Sequence, residues 1–221
     1  MRAGLVIAVD GPAAAGKGTL ARRLAAALGL AYLDTGLLYR AVGRRVLDRG
    51  IDPRDAPRSA AVALAEAEAL TAADLGRPDL RGPEADMAAS AVAAIPAVRT
   101  ALLEFQRGFG RRHGAVLDGR DIGTVVFPEA PVKLFVTASP AERARRRWLE
   151  LRSRGIEADP AQVAAEIRDR DAQDANRPVA PLRPATDALL LDTTLLDAEA
   201  AFVAALELVR GRLRTMPEDS V

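Results

Sequence analysis

Short unbroken apolar runs alternate along this chain with longer stretches in which apolar side chains recur every three or four positions. Leu5-Val6-Ile7-Ala8-Val9 is the first such run, and residues 30–33, 115–118, 132–136 and 189–192 repeat the pattern. None of them alternates apolar with polar positions, so each is expected to be a strand buried on both faces. Helical periodicity is expected over residues 20–28, 37–49, 58–70, 84–94, 97–112, 140–154, 160–176 and 198–214, with a break at Pro96. Gly29 and Gly50 are natural stops. Residues 72–83 turn to glycine, proline and charge and read as loop, and the tail from Thr215 is expected to fray. Strands separated by helices predict an α/β fold: a five-stranded parallel sheet flanked by helices.

In such sheets ligands gather beyond the carboxyl ends of the strands. Lys17, Thr35, residues 118–121 and Ser139 all follow strand ends, so they are expected to surround one crevice. The first strand end carries the strongest signal. Gly11-Pro12-Ala13-Ala14-Ala15-Gly16-Lys17 satisfies G-x-x-x-x-G-K, followed by Gly18-Thr19. Small residues let successive N–H groups turn inward as an anion nest, and the helix beginning near Lys17 adds the positive end of its dipole. Lys17 would reach the β- and γ-phosphates. The hydroxyl that usually follows the lysine arrives one place late, as Thr19.

Composition sharpens the motif. Of 31 basic residues only Lys17 and Lys133 are lysines, so one of the two stands where a phosphate loop requires one. The net charge of +1 gives no field to recruit nucleic acid or a membrane surface. With no cysteine, disulfides and thiol chemistry are excluded. No apolar run approaches the roughly 20 residues of a membrane span. The N-terminus is expected to enter a strand almost at once, so no secretory leader is expected. A cytoplasmic protein is expected.

Two further clusters carry charge. Asp118-Gly119-Arg120-Asp121-Ile122-Gly123 follows the third strand, where P-loop enzymes place a carboxylate that handles magnesium through water. A charged turn closed by a local ion pair is the alternative. In Arg168-Asp169-Arg170-Asp171-Ala172-Gln173-Asp174-Ala175-Asn176-Arg177, residues Arg170, Asp174 and Arg177 share one helical face. Spacing alone favours a solvated face laced with ion pairs. Arg143, Arg145, Arg146 and Arg147 read the same way. Phosphoryl transfer shifts the weighting, because that reaction is catalysed mainly by positioning and by cationic groups. His113 reads as a loop residue with no role.

These residues together resemble the bacterial cytidylate (CMP) kinases of the nucleoside monophosphate kinase family, over nearly the whole chain. The resemblance rests on Asp10-Gly11-Pro12 through Gly16-Lys17-Gly18-Thr19, Leu33-Asp34-Thr35-Gly36 with Tyr39-Arg40, and Arg170 with Asp174 and Asn176-Arg177. Its most specific part runs from Asp118-Gly119-Arg120-Asp121 to Phe127-Pro128. The Gly18-Thr19 ending is usual in that family. The resemblance implies a single P-loop kinase domain over 1–221, with an acceptor-nucleotide region at 36–114 and a lid at 140–178. It implies transfer of the γ-phosphoryl of ATP to CMP or dCMP, with Mg2+ accompanying ATP. Lys17, Arg120 and Arg177 would be catalytic, and residues 11–19 would hold ATP. Thr35, Arg40, Ser90, Arg99, Arg120, Asp121, Arg170, Asp174 and Arg177 would hold the acceptor. Among these, Arg40 and Arg120 would clasp its phosphate, while Ser90, Arg99 and Asp121 would read cytosine. No metal ligand is assigned beyond Asp118 through water, and a monomer without nucleic-acid or membrane partners is expected. The family usually carries a small β-rich insert before Ser90; here residues 72–89 stand in its place, short and strand-poor.

The nearest alternative is another small-molecule P-loop kinase with a different monophosphate or a shikimate-like acceptor. A nucleic-acid-dependent ATPase would want a basic face with aromatic stacking residues, yet aromatics make up 4% of the chain. A regulatory GTPase would carry an Asn-Lys-x-Asp signature, which the chain lacks.

Overall fold

The computed structural model describes residues 4–216; residues 217–221 of the tail expected to fray lie outside the described residues. The chain divides into two compact units, Met1–Leu33 with Phe109–Val221, and Asp34–Gly108. The boundary falls inside a helix, between Gly108 and Phe109.

The first unit is built on a five-stranded parallel sheet with strand order β2-β3-β1-β4-β5. Its strands are β1 (Val6–Asp10), β2 (Ala31–Asp34), β3 (Ala115–Gly119), β4 (Val132–Thr137) and β5 (Leu189–Asp192). β1 lies between β3 and β4 and is buried at every position. The register sets Val9 beside Asp118 and Asp10 beside Gly119, so two acid-bearing strand ends finish together. Helices α1 (Lys17–Leu28) and α8 (Ala198–Arg214) cover the sheet. Their apolar stripes join Ile7, Val9, Leu24, Val116, Leu134 and Val209 in one core. Each fully buried leucine or isoleucine there contributes about 1.5–3 kcal/mol. Helices α6 (Pro140–Ser153) and α7 (Pro160–Ala175) follow β4. The second lysine is a strut within this unit: buried Lys133 sets Nζ 2.9 Å from both Asp187 carboxylate oxygens and also donates to the Pro128 carbonyl.

The second unit is helical. It holds α2 (Thr35–Asp48), α3 (Ala56–Glu68), α4 (Pro83–Ala93) and the first part of α5 (Pro96–His113). Leu38, Val42, Val46, Val92, Val98 and Leu102 form its core. No single described helix is long and apolar enough to cross a membrane. Pro83–Ala93 and Pro96–Arg112 pass that test only as a pair bent by 100°, and their apolar residues serve this core.

Several local expectations are corrected. The helix expected over 160–176 stops at Ala175, with Asn176 as its C-cap, so Arg177 is not on the helical face read for it. The loop read over 72–83 contains a short 3-10 turn, Ala72–Gly76. Thr71 and Asp74 close a capping box there, and Arg45 holds Asp74 at 3.1 Å, so side-chain bonds order a segment rich in helix breakers. α5 continues through His113, a position read as loop. Residues 122–126, between the third and fourth strands, form one wide π turn in which Phe127 N–H donates to the Ile122 carbonyl at 2.7 Å.

Candidate active site

The phosphate loop is shaped by backbone that only small residues permit. Gly11 adopts φ +147°, and a Cβ there would lie 1.9 Å from the Val136 carbonyl oxygen on β4. Ala14 takes a left-handed φ of 58°; that costs a residue with a side chain about 1–2 kcal/mol and belongs to turns that aim N–H groups at an anion. α1 then starts at Lys17 with no side-chain cap on its first N–H groups, which leaves them for a phosphate. Thr193 braces the loop from below: its hydroxyl lies 3.2 Å from the Ala15 carbonyl and 3.0 Å from that of Thr137.

Lys17 is buried at 6% exposure and its Nζ donates to the Pro12 carbonyl at 2.7 Å. Burial, and then the charge of Arg120, push its ammonium down from the usual lysine range, against the pull of Asp118, Asp174 and Asp10. A polyanion at the loop would favour the charged form. Gly18 has a tertiary reason: a Cβ there would stand 3.2 Å from Asp118 Oδ2, the oxygen that accepts from the Tyr32 hydroxyl at 3.5 Å. The hydroxyl one place later, Thr19, is exposed in the first turn of α1.

Around the lysine the first unit gathers cations on a single carboxylate. Arg120 Nε donates to Asp174 Oδ2 at 2.8 Å, and Arg177 donates to the other Asp174 oxygen. Burial alone would raise the Asp174 carboxyl, but Arg120, Arg177 and Arg170 outweigh it and hold it below the usual carboxylate range. Asp174 is 7% exposed, so this is not the solvated helical face that its spacing suggests. Asp121 is buried at the start of the π turn. Ser139, expected at the crevice, caps α6 by accepting from Glu142 N–H at 3.3 Å.

Three participants escape a reading of the sequence. Asp10 accepts from Ile122 N–H at 2.8 Å and Gly123 N–H at 2.7 Å. Arg143, read as solvated, is 3% exposed and reaches the Ala13 carbonyl of the phosphate loop at 3.2 Å. Asp171 is its partner on α7. Only an aspartate directly before the loop glycine, and an arginine four places after Ser139, stood as faint signals. Arg145 is exposed as expected.

In the second unit Thr35 opens α2 and is buried. Arg40 donates from Nε to Asp86 at 2.9 Å and lies 3.8 Å from Asp34. Arg99 is buried at 9% exposure, with its guanidinium 5.5 Å from the centre of the Tyr39 ring. Ser90 is half-buried on α4.

Guanidinium groups and a lysine converging beside an anion nest suit a reaction that moves negative charge between oxygens. On fold and site the class is that of the P-loop phosphotransferases. The comparison with known families is narrower: the cytidylate kinase model matches residues 7–210, and the chain belongs to the cytidylate kinase family of ATP-dependent phosphotransferases. It is 64% identical over 208 residues to the cytidylate kinase of Granulibacter bethesdensis, covering 94% of this chain and 98% of that one. It is 62% identical to that of Acidiphilium cryptum, covering 93% and 95%, and 60% identical to that of Paramagnetospirillum magneticum, covering 94% and 98%. A crystal structure of an uncharacterized protein from Eubacterium ventriosum shares the fold, with a TM-score of 0.54 at 13% identity over 94% of this chain and 99% of that one.

Proposed function

We propose that the chain transfers the γ-phosphoryl group of ATP to CMP or dCMP, giving ADP and CDP or dCDP, and that the first unit carries the reacting groups. The observation that supports this best is the clasp on Asp174, where two guanidinium groups already grip one carboxylate next to Lys17. A phosphate is the natural occupant of such a fork, because arginine meets two anionic oxygens at once. Residues 11–19 and Lys17 bind the phosphates of ATP. Arg120 holds the phosphate of the acceptor, and Arg177 offsets the charge that builds between donor and acceptor. An oxygen of the CMP phosphate is the nucleophile; it is already anionic, so no side chain has to remove a proton. Asp121 accepts from the exocyclic amine of cytosine, and uracil, lacking that donor, would leave a buried carboxylate unpaired. Arg170 and Asp174 meet the ribose. In the second unit Thr35, Arg40, Ser90 and Arg99 are assigned to the acceptor nucleotide.

The described residues contain no group of three metal-ligating side chains. Asp118, a buried carboxylate beside Gly18 that also accepts from the Tyr32 hydroxyl, fits a cation held mainly by nucleotide phosphates and reached through water. Mg2+ bound with ATP would neutralise the β- and γ-oxygens. Residues 140–178 are assigned to a lid that keeps water from the reacting phosphates. We further place the protein in the cytoplasm as a monomer without nucleic-acid or membrane partners.

The test is ADP release from ATP and magnesium with CMP, dCMP, UMP, AMP, GMP and shikimate offered separately. Turnover confined to CMP and dCMP is expected. Strong use of UMP would remove the cytosine-reading roles, and shikimate or AMP as the sole acceptor would overturn the assignment.

A further inference from the structure

We infer that Asp10 is a positioning residue for the acceptor: its carboxylate locks the segment that carries Arg120 and Asp121 onto the end of the phosphate-loop strand. The inference rests on the acceptor roles proposed above for those two residues.

Asp10 is the last residue of β1 and the neighbour of Gly11. It is 4% exposed, and both of its oxygens are engaged: Oδ1 accepts from Ile122 N–H at 2.8 Å and Oδ2 from Gly123 N–H at 2.7 Å. The chain between those strand ends and those amides is short. Gly119 stands beside Asp10 in the β1–β3 register, so Arg120 and Asp121 are the only residues between that paired strand position and the two captured amides. A segment of two residues pinned at both ends has little freedom to move its side chains. The π turn continues the restraint, with Val125 and Val126 N–H donating to the Asp121 carbonyl at 2.9 and 3.2 Å.

The fit is tight from the opposite side too. A Cβ on Gly123 would lie 3.3 Å from Asp10 Oδ2 and 3.1 Å from Lys133 Cδ, so the carboxylate meets backbone with no side chain intervening. Lys133 is itself tied to Asp187, which fixes the wall against which Gly123 rests. One buried carboxylate thus joins the strand that leads into the ATP-binding loop to the segment that faces the second nucleotide. The arginine and the aspartate need no contact of their own with Asp10 to depend on it.

The experiment compares wild type, Asp10→Asn, Gly123→Ala and Arg120→Ala by steady-state kinetics with ATP and CMP, and by amide hydrogen exchange. Asn keeps the size of the side chain but turns one acceptor into a donor facing an N–H. Exchange over residues 120–127 is expected to quicken about 10-fold or more in Asp10→Asn. KM for CMP should rise about 10-fold or more while KM for ATP stays within about twofold. Gly123→Ala, which crowds the same joint while leaving the acid itself unsubstituted, is expected to show the same split in smaller measure. Unchanged exchange in Asp10→Asn overturns the inference, and so does faster exchange with both KM values moved equally or neither moved. In that last case Arg120→Ala locates the fault: a normal KM for CMP there means that the acceptor reading has failed, and a raised one means that only the role of Asp10 has.

Discussion

Arg143 on α6 sets its two terminal nitrogens 3.0 and 2.6 Å from the two carboxylate oxygens of Asp171 on α7. The same guanidinium donates from Nε to the Ala138 carbonyl at 2.9 Å and reaches Ala13 in the phosphate loop. One side chain, 4% exposed, therefore ties the loop, the end of β4 and the helix that bears Asp174 one turn further on. Removing Asp171 would leave a buried cation with fewer partners. Asp171→Ala is expected to cost about 3 kcal/mol, read from urea unfolding. Arg143→Lys, which keeps the charge and loses the fork, is expected to fold and to raise KM for ATP more than KM for CMP.

Lys17→Ala is expected to lower turnover about 10²–10³-fold with no loss of thermal stability. The lysine is buried and its ammonium is disfavoured there, so folding gains little from its charge. Turnover and Tm measured on one preparation check both halves.

Arg120→Ala is expected to abolish most turnover with CMP while the fold survives. Asp174 would lose one of its two closest cations, so its carboxyl should titrate nearer the ordinary range. A folded Arg120→Ala protein with unchanged turnover would remove that residue from the mechanism.

Asp10 supplies a pH signature. Burial is the largest influence on it and, with Asp121 nearby, carries its carboxyl from 3.8 up to about 7, against the two amide bonds and the charge of Lys17. The folded protein therefore holds this proton more tightly than the unfolded chain does. The stability it contributes is fully present below about pH 4 and is lost as pH rises through about 7. The Tm advantage of wild type over Asp10→Asn, followed from pH 4 to 8, should shrink as pH rises. An advantage that grows over that range would refute the assignment.

Gly11→Ala is expected to yield little folded protein. The added methyl would meet the Val136 carbonyl at 1.9 Å, and neither partner can retreat, since Val136 lies in β4 and Gly11 directly follows β1, its hydrogen-bonded neighbour in the sheet. Circular dichroism of the purified chain checks this.

Sequence alone determined the features whose cause is local. A run of small residues between an apolar strand and a helix is a local signature, so the strand, loop and helix around Gly11 to Lys17 were legible. Strands buried on both faces are continuous apolar runs, so the five-stranded parallel sheet was legible, as was Gly29 ending α1. The segment from Asp118 to Pro128 carried the family. Tertiary structure decided which charges are buried and what they hold. Arg143 and Arg145 stand two places apart on one helix, yet one braces the phosphate loop and the other faces water. Asp10 meets amides 112 and 113 positions away. The wedge between Gly18 and Asp118 and the strut from Lys133 to Asp187 are of the same kind. Periodicity records the face a residue presents to its own element. It does not record the distant backbone or side chain packed on that face, and for a charged group that neighbour determines whether it is solvated, structural or part of a site.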